Sequence, residues 1–265
     1  MKLEKICQKV VALVKEVGYF LKKEQENFDT SRIEYKGLNN LVSYVDREAE
    51  KKLMEGLEKI VREAAFVSEE DKSLHQLTNK TYHWVIDPLD GTTNFMHRIP
   101  IFAISIALMQ EREVVLGVVY EVSRNECFYA WKNGNAFCNE ARIQVSQNVA
   151  LSQSLLATGF PYGDFDKMIA YLNTLNEFMQ KTHGLRRMGS AAVDLAYTAC
   201  GRFEGFFEYN LSPWDVAGGS IIVKEAGGKV STFSGTDDFV FGKEIVAATP
   251  TVHKEMLQVI EQCWD

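Results

Sequence analysis

Two aspartates stand three residues apart in the segment WVIDPLDGTTNF, residues 84–95, directly after a short apolar run. Proline fixes its own φ, so Asp87-Pro88-Leu89-Asp90 predicts a stiff turn at the end of a buried strand. Such a turn can direct both carboxylates, and the carbonyl of Leu89 between them, toward one point. Carboxylate and carbonyl oxygens suit Mg²⁺, Mn²⁺ or Ca²⁺ and suit zinc poorly. The residue types therefore indicate a divalent-cation site.

The residues that follow Asp90 are small and polar. Gly91 and Thr92 can expose backbone N–H groups, which bind an anion if a helical turn begins there. The same segment thus offers ligands for a cation and donors for an anion.

Other acidic residues could join this group. Glu69 and Glu70 follow an apolar pair upstream, and Asp215, in SPWDVAGGSIIVKEAGG, lies in the first turn of a predicted helix. Each has an ordinary structural interpretation, because acids are common in solvated loops and stabilise a helix N-terminus by up to about 1 kcal/mol. Their occurrence together, and not any one of them, indicates a site.

Hydrophobic periodicity predicts the elements that position these acids. Apolar residues at three- and four-residue steps predict two helices in the first part of the chain, at 3–21 and about 46–62. Three strand-like segments joined by short polar turns then predict a mostly antiparallel meander, at 102–109, 114–119 and 127–131.

After about residue 150, predicted strands and helices alternate. The strands are 155–158, 185–188, 203–208 and 245–248, and the helices are 166–181, 190–199, 213–226 and 250–263. The order predicts an α+β subdomain at 1–150, which carries most of the metal ligands. An α/β subdomain at 151–265 completes the site, and the two pack in layers as one compact unit.

The composition is that of an ordinary globular protein: 265 residues, 46% of them hydrophobic, with a net charge of −7 and no basic block. No apolar run approaches the roughly 18 to 20 residues that span a bilayer, and charged residues interrupt the N-terminal segment, which argues against a signal peptide. Five widely spaced cysteines without a Cys-x-x-Cys pair predict reduced thiols. We therefore expect a cytoplasmic protein whose main partner is neither a membrane nor nucleic acid.

Two long motifs in this order, IDPLDGTTNF and PWDVAGGSIIVKEAGG, resemble the inositol monophosphatase family of magnesium-dependent, lithium-sensitive phosphatases. The resemblance covers nearly the whole chain. It includes Ser68-Glu69-Glu70, where the family usually has Gly-Glu-Glu, the segment RMGSAA at 187–192, and FFE at 206–208. It implies a layered αβαβα sandwich, of the inositol monophosphatase and fructose-1,6-bisphosphatase type, and a homodimer.

The resemblance also implies a role for each site residue. The metal ligands for Mg²⁺ would be Glu69, Asp87, the carbonyl of Leu89, Asp90 and Asp215. The catalytic residues would be Glu69 and Thr92, which orients the attacking water, with Asp46 as the partner of Thr92. Asp46 stays in register although Asn40 and Ser43 depart from the family's usual segment.

Substrate contacts are implied in the same way. Phosphate would lie against Gly91 and Thr92, and further substrate contacts would fall at Gly189, Ser190 and Ala191, mostly through backbone. Asp90 would touch both the metal and the substrate. Glu208 would bind the hydroxyl groups of the substrate. His97 is assigned a structural role, since the family motif treats its stretch as structural.

The implied chemistry is attack of a metal-activated water on phosphorus, without a covalent intermediate. The expected substrate is a small phosphate monoester, with inositol 1-phosphate first, because GTTNF at 91–95 resembles the inositol branch more than the nucleotide branch. Fructose 1,6-bisphosphate, histidinol phosphate, NADP and adenosine 3′,5′-bisphosphate are alternatives within the superfamily. A non-catalytic binding protein that keeps the fold is the alternative from another class.

Overall fold

Two large β-sheets alternate with three layers of α-helix, and a separate two-stranded sheet lies near the start of the chain. The computed structural model describes residues 2–28, 34–37, 40–42, 44–148, 150–161 and 165–264. The helices in this part of the chain are α1 (Leu3–Glu26), α2 (Tyr44–Ile60), α3 (Thr92–Met96), α4 (Met168–Lys181), α5 (Ala191–Ala199), α6 (Pro213–Glu225) and α7 (Pro250–Cys263). The strands are β1 (Glu34–Gly37), β2 (Asn40–Val42), β3 (Ala65–Ser68), β4 (Tyr82–Asp90), β5 (Ala103–Gln110), β6 (Glu113–Glu121), β7 (Glu126–Trp131), β8 (Ala136–Cys138), β9 (Ala141–Ile143), β10 (Leu155–Thr158), β11 (Gly184–Arg186), β12 (Gly205–Tyr209), β13 (Lys229–Ser231) and β14 (Glu244–Ala248).

The first sheet has seven strands in sequence order, β3 to β9. β3 and β4 are parallel, and every other neighbouring pair is antiparallel, as the predicted meander required. Its central strands are buried on both faces because helices cover both sides, so β5 reads as a nearly unbroken apolar run. α1 and α2 cover one face with the apolar stripe that their periodicity predicted.

The second sheet has five strands in the order β11-β10-β12-β14-β13. α4 and α7 pack on its outer face, and α5 and α6 lie between the two sheets. The layers therefore run α1/α2, seven strands, α5/α6, five strands, α4/α7. This arrangement confirms the predicted αβαβα sandwich.

Glycines bring α6 into close contact with the first sheet. A Cβ on Gly117 in β6 would lie 2.2 Å from the carbonyl oxygen of Gly218 in α6, and a Cβ on Gly218 would lie 2.7 Å from Ser105 Oγ. Ser105 Oγ also donates a hydrogen bond to the Trp214 carbonyl oxygen at 3.2 Å. The N-terminus of α6, which carries Asp215, is thereby held against β5.

The segment from Asp87 to Asp90 is not the turn that its proline predicted. β4 continues through Asp90, with a bulge, since Asp87 is opposite Ser105 and Asp90 is opposite Ala103. β3 pairs with β4 only as far as Ile86, so the proline lies on an edge and beside a bulge, where a missing N–H is tolerated. The bulge lets successive acids project toward the same end of the sheet.

No helix in the described ranges is both long enough and apolar enough to cross a membrane. The five cysteines are free thiols. Burial raises the pKa of Cys127 to about 12 and that of Cys138 to about 11, so both stay protonated near neutral pH.

Candidate active site

The end of β4 places two carboxylates in fixed positions. Asp87 is buried, and its Oδ1 accepts a hydrogen bond from the Leu89 N–H at 2.9 Å. Asp90 Oδ2 accepts two hydrogen bonds of 2.7 Å, one from Ser190 Oγ and one from the Ala192 N–H at the start of α5. Asp90 thus joins the first sheet to the middle helical layer.

Thr92 links this strand end to α2. Its hydroxyl lies 2.9 Å from the Leu89 carbonyl oxygen and 3.2 Å from Oδ1 of the buried Asp46, and it can donate to either. Asp46 lies in the first turn of α2, where an acid is favourable. The contact spans 46 residues of sequence and holds together two residues that the resemblance paired.

Glu69 follows β3, the parallel neighbour of β4. Its carbonyl oxygen lies 3.1 Å from His75 Nε2, and the next N–H, that of Glu70, donates to Glu50 Oε1 at 3.1 Å. The buried Glu50 also accepts a hydrogen bond from Ser68 Oγ. Glu50 is a supporting residue that the motifs missed, although an acid in the apolar stripe of α2 was a signal for it.

Asp215 closes the group from α6. The Ser212 N–H donates to Asp215 Oδ2 at 2.7 Å, which is one of the two hydrogen bonds of a capping box at the start of α6. Capping uses one carboxylate oxygen, so it does not exclude a second role for the other.

Burial raises the pKa values of the acids in this group, and neighbouring acids add to the shift for Asp87 and Asp215. Burial first, then the charges of Glu69, Asp90 and Asp215, raise the pKa of Asp87 well above its ordinary value. Burial and Asp90 do the same for Asp215, and burial raises the pKa of Asp90 to about 6 against the hydrogen bonds from α5. Several carboxylates crowded away from water are unstable as anions unless a cation joins them.

The acidic side chains of this group are not arranged in this structure to surround a metal ion. Among the residues that the structure describes, no three His, Cys, Asp or Glu side chains are placed to hold a metal ion as they stand. N–H and O–H donors hold one oxygen each of Asp87, Asp90 and Asp215. The donor set is all oxygen and acidic, which is the set that fits Mg²⁺.

Two left-handed glycines lie side by side next to these acids. Gly91 precedes α3 with φ +92°, Gly189 precedes the cap of α5 with φ +90°, and a Cβ on Gly91 would lie 3.3 Å from the Gly189 carbonyl oxygen. Ser190 Oγ accepts the Val193 N–H at 3.2 Å, and Ala191 begins α5.

Asn94 ties the two glycine loops together, because its Nδ2 donates to the carbonyl oxygens of Ile101 and Met188, both at 2.8 Å. The motifs did not assign Asn94 this role.

Glu208 lies in β12 of the second sheet and is buried. Burial raises its pKa to about 8, Arg187 opposes the shift and Asp90 adds to it, so the second sheet contributes its acid to the same electrostatic group.

Asp194, in the first turn of α5, is a buried acid that the motifs missed. Burial, Glu208 and Asp90 raise its pKa, and among the described residues its Oδ1 has no hydrogen-bond partner. In the sequence, the signal for Asp194 was that it is an acid within an otherwise apolar helix.

Glu208→Gln should stabilise the metal-free protein at high pH and not at low pH. The folded-state pKa of about 8 lies above the ordinary 4.5, so protonation favours folding, and this contribution is lost as the pH rises through 8. Glutamine is neutral at every pH, so the variant does not lose this contribution to stability as the pH rises. In EDTA, the Tm of the variant should exceed that of the wild type by a few degrees near pH 8.5 and equal it near pH 4. Glu48→Gln, at an exposed position, should leave Tm unchanged at both pH values. A gap that does not depend on pH would contradict the assignment.

The structure thus brings the acids and glycines implied by the resemblance to one end of the two sheets, with Glu208 on the side of the second sheet. His97 is exposed at the end of α3 and takes no part in the described contacts of the group.

Known proteins share this architecture. The family model for the inositol monophosphatase family matches residues 2–265. A protein of Neisseria meningitidis serogroup B named putative Nus factor SuhB is 42% identical over 243 residues, which cover 92% of this chain and 93% of that protein. An inositol-1-monophosphatase of Caulobacter vibrioides is 41% identical over 230 residues, 86% of this chain and 90% of that protein.

A solved structure agrees with these sequence matches. The crystal structure of extragenic suppressor protein suhB from Bartonella henselae has a TM-score of 0.90 at 35% identity and covers 96% of this chain and 98% of its own. Identity above 30% along nearly the full length, together with the family match, leads to one conclusion: the chain belongs to the inositol monophosphatase family.

Proposed function

We propose that the protein is a Mg²⁺-dependent phosphatase that hydrolyses a small phosphate monoester, with inositol 1-phosphate as its first candidate substrate. One observation carries the proposal. Asp87 and Asp90 of β4 and Asp215 of α6 come from two distant segments, share one electrostatic group, and lie beside the Thr92–Asp46 hydrogen bond. Family membership supports the same reaction class.

The residues that would hold Mg²⁺ are Glu69, Asp87, the Leu89 carbonyl, Asp90 and Asp215. Bound Mg²⁺ would supply positive charge for the phosphoryl oxygens and lower the pKa of a bound water. Without that charge, an acidic pocket repels a phosphate monoester, which is why the proposal requires the metal.

Thr92 and Asp46 would orient the attacking water. When the Thr92 hydroxyl donates its proton to Asp46 Oδ1, its oxygen lone pairs remain for a water O–H. Asp46 is buried in the first turn of α2, so the pair is held in one geometry before substrate arrives. Pre-orientation of this kind supplies much of the rate in hydrolytic phosphoryl transfer.

Phosphate and polyol would lie on opposite sides of Asp90. The backbone N–H groups of Gly91 and Thr92, and those of Gly189 to Ala191, would donate hydrogen bonds to phosphate oxygens. Glu208 would accept hydrogen bonds from the substrate's hydroxyl groups, and Asp90 would face both. The two loops are already tied together by the Asn94 amide, so little reorganisation is needed.

Phosphate release from a substrate panel, with and without Mg²⁺, tests the proposal. The panel holds inositol 1-phosphate, histidinol phosphate, fructose 1,6-bisphosphate, NADP and adenosine 3′,5′-bisphosphate. Metal-dependent turnover with inositol 1-phosphate preferred is the expected result. Release from none of them by a metal-bound protein would contradict the proposal and favour a binding role.

Glu208→Gln should change substrate preference more than the reaction itself. The glutamine keeps the shape but loses a charged acceptor, so we expect KM for inositol 1-phosphate to rise about tenfold, the cost of a charge-assisted hydrogen bond. The kcat should change little, because Glu208 is not assigned to the metal. An equal fall in kcat for every panel substrate would contradict this role.

A homodimer is proposed on the surface of α4. Ile169, Leu172 and Met179 are 78%, 54% and 59% exposed and follow one another at three and seven residues, so they form an apolar stripe on one helix face. A second copy of this chain is the occupant that the resemblance implies.

Leu172→Glu should convert the dimer into a monomer, because it places a charge in the apolar stripe. Light scattering after size exclusion gives the mass. Gln8→Glu, which adds the same charge at an exposed position on α1, should leave the dimer intact. A wild-type monomer at micromolar concentration would contradict the dimer.

A second candidate function follows from the relatives named Nus factor SuhB, which match this chain at 40–42% identity. Such a role need not use the phosphatase site. This chain and its Asp90→Asn variant, expressed in Escherichia coli lacking its own SuhB, separate the two functions. If both proteins restored the function lost with SuhB, a Nus-factor role independent of hydrolysis would be favoured.

A further inference from the structure

The carboxylate of Glu208 occupies the space that a side chain at position 159 would need. β10 and β12 are parallel neighbours with Thr158 opposite Phe207, so Gly159 adjoins Glu208 where the two strands end. A Cβ on Gly159 would lie 1.9 Å from Glu208 Oε1 and 2.2 Å from Oε2. Glycine is therefore the residue that leaves room for this carboxylate.

The backbone of Gly159 is held by a buried tyrosine of α4. The hydroxyl of Tyr171 donates a hydrogen bond to the Gly159 carbonyl oxygen and contacts Thr158 Oγ1. Thr158 Oγ1 donates in turn to the carbonyl oxygen of Phe207, directly before Glu208, at 2.8 Å. One hydroxyl thus ties together the two strand ends that enclose the carboxylate.

Packing fixes the position of this hydroxyl. Tyr171 is 1% exposed, and its ring centroid lies 5.0 Å from that of Tyr209 and 5.9 Å from that of Phe207. Burial raises the pKa of Tyr171, so the hydroxyl stays a proton donor. A buried hydroxyl in an apolar cluster is destabilising unless its hydrogen bonds are made, which indicates that this contact is specific.

We propose that Gly159 and Tyr171 are positioning residues for Glu208 and so set which substrate hydroxyl groups the pocket accepts. The inference rests on the proposed function, in which Glu208 binds those hydroxyl groups. Gly159 supplies the space for the carboxylate, and Tyr171 holds the backbone that borders it.

Tyr171→Phe tests the positioning role, because it keeps the ring and removes only the hydroxyl. KM for inositol 1-phosphate should rise about twofold to tenfold, the range for one hydrogen bond, with kcat unchanged. Hydrolysis of p-nitrophenyl phosphate, which lacks neighbouring hydroxyl groups, should not change. In a Glu208→Gln background the same replacement should add nothing, because its effect passes through Glu208.

Phe178→Leu is the matched control on the same helix. Its ring lies 4.7 Å from that of Phe207, and it should lower Tm without changing the preference between the two substrates. Two results would overturn the proposal: equal loss of activity on both substrates in Tyr171→Phe, or a full Tyr171→Phe effect in the Glu208→Gln background.

A stability cycle tests the same contact without any substrate. Gly159→Ala should lower Tm by several degrees, because the new Cβ displaces Glu208, and should cost little in a Glu208→Ala background where the space is empty. An equal cost in both backgrounds would refute the positioning role. If the wild type released no phosphate from any polyol, the proposed function would fail, and this cycle would still decide the contact.

Discussion

Asp90→Asn should abolish measurable phosphate release while the fold survives. The replacement removes the charge of a proposed metal ligand, and loss of a single charge-stabilising group in an active site costs roughly 10²–10³ in kcat. Asn has the same shape, and its carbonyl oxygen can still accept the hydrogen bonds from Ser190 and Ala192. The variant should therefore lose its phosphatase activity and keep its fold.

Activity on inositol 1-phosphate and thermal unfolding in EDTA measure the two parts of this prediction. Asp71→Asn is the control, because Asp71 is an exposed acid near the site that only caps a short helical turn through Ser73. The control should keep its activity. Hydrolysis by Asp90→Asn at the wild-type rate in saturating Mg²⁺ would contradict the assigned role of Asp90.

Removal of Mg²⁺ should destabilise the protein and stop hydrolysis. Burial raises the pKa values of Asp87, Asp90 and Asp215, and repulsion from neighbouring acids adds to the shift for Asp87 and Asp215. A bound cation relieves both costs. A ligand at a hundred times its Kd stabilises the folded state by about 2.7 kcal/mol. For a chain of this size that corresponds to a rise in Tm of roughly 5 to 10 °C.

Tm measured against Mg²⁺ concentration, with NaCl matching the ionic strength, tests this prediction. The Na⁺ series should change Tm little, and Asp215→Asn should weaken the response to Mg²⁺. EDTA that left both Tm and activity unchanged would show that the metal assignment is wrong.

Local features of the structure could be predicted from the sequence. Helix α7 and strand β10 have the predicted bounds, and the sequence predicted the start of α6 with Asp215 in its first turn. These features depend on contacts within a few residues, such as helix caps and apolar faces. The αβαβα layering came from the family resemblance and is confirmed.

Short strands were the main omission. β3 and β13 have four and three residues, too few to show a period of two. Their position is decided by pairing with β4 and β14. The bulge in β4 was likewise read as a turn, because proline and aspartate favour turns locally. An irregular strand is acceptable there because the pairing of β3 with β4 ends at Ile86.

The sequence by itself determined which acids are the candidates for the site, because Asp87, Asp90 and Asp215 lie in segments whose local order and residue types are distinctive. Only the tertiary structure decided what supports them. Glu50 holds the loop of Glu69, and Tyr171 with Gly159 borders Glu208. The physical reason is that hydrogen bonds and steric fit join residues that are distant in sequence, so no local pattern encodes them.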